Sequence, residues 1–118
     1  MQTRVSSSTR EVIISDAGPT VIIGERINPT GKKRLQAELL AGRLDLVRSE
    51  ALQQVQDGAD ILDVNVGATG VDEAALLPEA VRAVMEVVDV PLCIDSGDPR
   101  ALEAALRVYK GRALVNSV

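Results

Sequence analysis

Short apolar runs alternate with amphipathic segments along most of this chain, and that order leaves few folds open. The runs are "TVIIG" (20–24), "ADILDVNVG" (59–67), "VPLCIDS" (90–96) and "RALVNSV" (112–118). Strands that are apolar on both faces belong to parallel sheets covered by helices. Between the runs, Leu44, Val47, Ala51 and Val55 follow helical spacing, and Asp57-Gly58 ends that helix. Leu77, Val81, Val84 and Val88 mark a second helix, with Pro78 expected in its first turn. Asp98 suits a helix cap with Pro99 at the first position, and Leu102, Ala105, Leu106 and Tyr109 form an apolar stripe that Gly111 stops.

The front of the chain adds one element. Residues 1–10 are polar and expected to fray. "EVIIS" (11–15) reads as a strand, followed by the turn "DAGP". It pairs with "TVIIG" as a hairpin, or else "TVIIG" opens the parallel sheet; the "ERINPTGKKR" that follows reads as a loop. The order β-α-β-α-β-α-β, behind an extra strand, builds either a doubly wound sheet or a (β/α)8 barrel.

Composition removes whole classes of chemistry. With no histidine and one cysteine, the usual zinc sites, a Ser-His-Asp triad and an internal disulfide are excluded. Tyr109 is the sole aromatic residue, so there is no platform for stacking bases. A net charge of −4 argues against nucleic acid or an anionic membrane as partner. No apolar stretch approaches the length of a membrane span, and the start lacks a signal-peptide core, so a cytoplasmic location is expected.

The informative residues stand where strands end. The first run leads into Glu25, Arg26 and Asn28; the second carries Asp63 and Asn65; the third ends in Asp95-Ser96; the fourth carries Asn116-Ser117. Parallel strands point one way, so these groups converge on one rim, where such sheets bind ligands. A strand-end Asp can also cap the next helix, but Asp98 is better placed than Asp95 to do so. Lys32 and Lys33 after Gly31 read as a solvated basic turn, because a phosphate loop needs glycine where Arg26 stands. Cys93, inside an apolar run, reads as a buried inert thiol.

Together, "IGERINPTGKK", "GADILDVNVGA", "PLCIDSGDPRALEAAL" and "GRALVNSV" resemble the pterin-binding family. The nearest branch is methyltetrahydrofolate:corrinoid methyltransferase, with the folate domain of cobalamin-dependent methionine synthase close behind. The resemblance implies a (β/α)8 barrel, which needs about 250 residues. Residues 21–118 would then form the first half of a barrel domain, with four parallel strands and three helices, truncated at the C-terminus; residues 1–20 would be an extension with a short strand. The edge strands would expose apolar surface, which a following half or a second copy in a homodimer would cover.

The resemblance also implies roles. Residues matching Asp95 and Asn116 hydrogen-bond the pterin ring, Asp63 belongs to the same polar floor, and Asn65 and Asn28 line the same end. The implied substrate is methyltetrahydrofolate, and the implied partner is a corrinoid protein whose Co(I) accepts the methyl group. The asparagine that assists the departing amine lies in the later half of such barrels, so no catalytic residue is expected here and the chain alone should be inactive. No metal ligand is expected. Dihydropteroate synthase is the rival reading. It carries an Asn-Val-Thr-Pro-Asp-Ser-Phe type first loop and a Ser-Thr-Arg-Pro-Gly second loop, where this chain has "ERINPTGKK" and "NVGATG". A non-catalytic dimeric half-barrel that binds folate is the other alternative.

Overall fold

The computed structural model describes residues 2–15 and 18–116; part of the "DAGP" turn, Ser117 and Val118 lie outside the described residues. Strands β1 (Gln2–Ser6) and β2 (Glu11–Ser15) form an antiparallel hairpin. The chain continues through β3 (Ile23–Ile27), α1 (Lys33–Leu40), α2 (Asp45–Gln56), β4 (Ile61–Val64), α3 (Glu73–Val87), β5 (Leu92–Asp95), α4 (Pro99–Val108) and β6 (Leu114–Asn116). The four later strands are all parallel, in the order β3-β4-β5-β6. Spatial order follows chain order without reversal. That is the winding of a barrel wall; a doubly wound sheet reverses its order at a switch point, and none falls among these four strands.

Such winding puts every helix on one face. There Leu62, Val64, Leu92 and Ile94 pack against Ala51, Leu77, Val81, Val84, Ala101 and Ala105 in one core. The opposite, concave face carries Ile61 and Cys93, which pack with Val5, Val12, Ile14, Val21 and Leu114. The hairpin therefore covers the end of the concave face from which the strands start. The apolar positions toward the outer edges stay open: Ile23 on β3 is 41% exposed, Val115 on β6 45% and Leu106 on α4 44%.

Several local expectations are corrected. The N-terminus is a strand instead of a frayed tail, because Val5 alone anchors it at 1% exposure while Gln2, Thr3 and Arg4 face outward. β2 pairs with β1 and not with "TVIIG"; of the two readings of "TVIIG" the second holds, since it leads into the first parallel strand, which begins at Ile23 and runs on to Ile27. Helix α1 takes the last two residues of the loop "ERINPTGKKR" and continues through the stretch before the next helix, where the sequence marks no element; only Leu35 and Leu39 of it are buried, too few to register as a stripe. Gly42, with φ of 72°, ends that helix in the left-handed conformation that favours glycine. Pro78 sits inside α3, not in its first turn. The helix starts earlier, where the Asp72 side chain caps it by accepting the Ala75 N–H at 3.3 Å. Gly111 does not stop α4, which ends at Val108. It passes so close to the hairpin that a Cβ there would meet the Ser6 carbonyl oxygen at 2.2 Å.

Candidate functional site

Alternation along each strand selects what faces the concave side. On β4 the inward residues are Ile61 and Asp63, and on β5 Cys93 and Asp95, because Leu62, Val64, Leu92 and Ile94 belong to the helix-side core. Asp63 stands in register with Cys93, and Asp95 with Asn116. Cys93 and Leu114 thus form a lower apolar tier, and Asp95 and Asn116 lie side by side one step nearer the rim. Helix capping does not occupy Asp95. The Asp98 carboxylate does that work for α4, accepting the Arg100 N–H at 3.0 Å.

Asp63 is the deepest of these groups, at 6% exposure. Burial pushes its carboxyl up from 3.8 to about 6, and the neighbouring Asp95 and Glu25 charges push the same way, while a hydrogen bond with the Cys93 thiol opposes them. Burial, then the bond to Asp63, pushes the Cys93 thiol up to about 12. It stays protonated at neutral pH and is no nucleophile. Glu25, a strand-end residue outside the five candidates of the sequence, belongs beside this site. Its charge reaches both Asp63 and Cys93. The alternation Ile23–Glu25 was the available signal, hidden by placing the strand at 20–24 instead of 23–27.

The two remaining candidates stand at the same rim but spend a side-chain oxygen on their own loops. Asn65 Oδ1 accepts the Gly67 N–H at 2.7 Å, and Asn28 Oδ1 accepts the Thr30 N–H at 3.0 Å. Of the five sequence candidates, Asp63, Asp95 and Asn116 share one face, and the two asparagines shape the loops beside it. Among the described residues, no group of three or more His, Cys, Asp or Glu side chains is arranged to hold a metal ion. A cavity of about 390 Å³ opens elsewhere, lined by Ser7, Arg82, Met85, Tyr109 and Lys110 near the hairpin. The polar tier stands on the concave side of four strands that form part of a barrel wall.

A match to the family described as pterin binding enzyme covers residues 24–118, from the first parallel strand to the end of the chain. The chain belongs to the pterin-binding enzyme family. It is also 38% identical over 101 residues to the methylcorrinoid:tetrahydrofolate methyltransferase of Eubacterium limosum. That alignment takes in 83% of this chain and 36% of the relative, so the chain spans about a third of that protein's length.

In this member of the family the loops around the polar tier are cross-braced. The Ser96 hydroxyl, on a residue 3% exposed, donates to Glu73 Oε1 at 2.8 Å and accepts the Asp98 N–H at 3.0 Å. Glu73 opens α3, so the loop after β4 and the loop after β5 are joined through one carboxylate. Beneath β3, the buried side chain of Gln54 accepts the Arg26 N–H at 3.0 Å, where the pairing of β3 with β4 shifts register between Gly24 and Ile27. Such bulges re-aim side chains beside sites. No helix among the described residues is long and apolar enough to cross a membrane.

Proposed function

We propose that the polar tier binds the pterin ring of a folate, and that the whole protein moves a methyl group between that folate and a corrinoid carried by a partner protein. The observation that carries this reading is the placement of Asp63, Asp95 and Asn116 on one concave face at the strand ends. A pterin presents an amino group and a ring N–H beside acceptors. Asp95 can accept two such bonds at once, and the Asn116 amide can donate and accept. Asp63, deeper and easier to protonate, can answer either a donor or an acceptor. A site of this kind rejects rings that lack those groups, because its buried polar atoms would go unpaired.

The relative's name gives the transfer from methylcorrinoid to tetrahydrofolate, the reverse of the direction that the sequence resemblance implies. One site serves both directions, since forward and reverse reactions share a transition state; the partner's chemistry decides the net flow. The corrinoid supplies the metal centre that carries the methyl group. This chain's residues hold and orient the ring. The group that assists the folate nitrogen comes from further barrel units, which would also cover the open edges of β3 and β6. A second copy of the chain would cover those edges without supplying that group.

The test is an assay of the full-length protein with methyltetrahydrofolate and a reduced corrinoid protein, followed by the absorbance change of cobalt on methylation. We expect turnover and measurable folate binding. Absence of folate binding, or formation of dihydropteroate from a pterin pyrophosphate and p-aminobenzoate, would overturn the reading.

A further inference from the structure

The chain carries a net charge of −4, yet the segment Arg26–Arg34 holds four cations and no acid: Arg26, Lys32, Lys33 and Arg34. All four are exposed, and among the described residues none of them is within ion-pair distance of a carboxylate. The segment is held in shape by its own hydrogen bonds. The Lys32 N–H donates to the Pro29 carbonyl at 3.0 Å, closing a turn whose Gly31 has φ of 70°. The Gln36 side chain donates to the same carbonyl at 2.8 Å, and the Lys32 ammonium donates to the Arg26 carbonyl at 2.5 Å. Three of the cations, Arg26, Lys32 and Arg34, line a hollow of about 190 Å³ with Leu35, Leu46 and Glu50. Glu50 is the one acid in that lining, so the hollow keeps a positive balance.

Position gives the cluster its meaning. Arg26 follows Glu25, whose charge reaches the Asp63 carboxyl, and the loop leaves the same end of the sheet as the polar tier. An acid-lined floor therefore lies beside a basic flank on the β3 side. A ligand that complements both has a head rich in N–H donors and a tail that carries negative charge. From this we infer that the loop between β3 and α1 is an anion subsite for the glutamate tail of the folate, and that it favours folates bearing several γ-linked glutamates. The inference rests on the pterin reading of the floor. Each added glutamate brings one more carboxylate, and exposed cations attract it in a manner that salt screens.

The experiment compares binding of methyltetrahydrofolate mono- and triglutamate to the full-length protein, by calorimetry, at low salt and at 0.5 M salt added. The wild type should bind the triglutamate about five- to twentyfold more tightly at low salt, with most of that ratio lost at high salt. In the triple variant Lys32→Gln, Lys33→Gln, Arg34→Gln the ratio should fall toward one. A wild-type ratio near one overturns the subsite while leaving the pterin reading in place. So does a ratio kept in the variant; if transfer to the corrinoid partner is then impaired, the loop is a docking face for that protein instead. Failure of the wild type to bind either folate removes the pterin reading and this subsite with it.

Discussion

The hydroxyl of Tyr109 donates to the carbonyl of Ser6 at 2.5 Å, tying the end of the α4 segment to the N-terminal hairpin. The same oxygen accepts the N–H of Leu92 at 3.2 Å, at the start of β5. One side chain thus fastens hairpin, helix and sheet at the end opposite the polar tier. Tyr109→Phe keeps the ring and removes both bonds, leaving the buried Leu92 N–H unpaired. We expect a loss of about 1–3 kcal/mol in denaturant unfolding of the full-length protein, with folate affinity unchanged. Wild-type stability in the variant would show that solvent replaces the hydroxyl freely.

Gly24→Ala should be destabilising for a different reason. A Cβ there would stand 2.4 Å from Gln54 Oε1 and 3.1 Å from the Leu62 side chain. Gln54 can move only by giving up the Arg26 N–H and so loosening the bulge of β3. The expected cost is about 1–3 kcal/mol, read from the shift of the unfolding midpoint. A neutral result would mean that α2 retreats from the sheet without penalty.

Asp95→Asn tests the proposed ring contact directly. Replacing the carboxylate with an amide turns one acceptor oxygen into a donor and removes the charge. Folate binding should weaken by about 1.5–3 kcal/mol, or roughly ten- to a hundredfold, with little change in stability. Binding at wild-type strength would make Asp95 a structural residue.

Asp63 predicts two pH dependences of opposite sign. Its carboxyl titrates near 6 in the folded chain against an ordinary 3.8, so the folded state keeps a proton that the unfolded state releases between those values. Stability should therefore fall as pH rises from about 4 to 6 and then level off. Asp63→Asn should flatten that slope, which urea titrations at successive pH values can read. Folate affinity should change the other way, weakening as pH drops below about 6, if the ring's donors need the carboxylate form. Parallel pH profiles for Asp63→Asn and the wild type would remove Asp63 from both roles.

Much of the architecture was legible because its signals are local and repeated. Val, Ile and Leu at consecutive positions marked the buried strands, and Asp98-Pro99 marked the start of α4 correctly. The elements that escaped were those with a single buried anchor. β1 shows one inward residue, Val5, and α1 two, Leu35 and Leu39, so neither makes a periodic pattern long enough to read. Glu25 escaped because strand alternation is unforgiving: a misplaced strand start assigns side chains to the wrong face.

By itself, then, the sequence determined the β/α order, the parallel sheet and the polar residues at the strand ends, because each depends on patterns within a few residues. Only the tertiary structure decided which of those polar groups share a face. Register set Asp95 beside Asn116, and burial, aided by the Asp95 and Glu25 charges and opposed by the Cys93 thiol, lifted the Asp63 carboxyl. Asn65 and Asn28 turned out to brace their own loops. Those outcomes depend on distances between segments far apart in the chain, which no local pattern encodes.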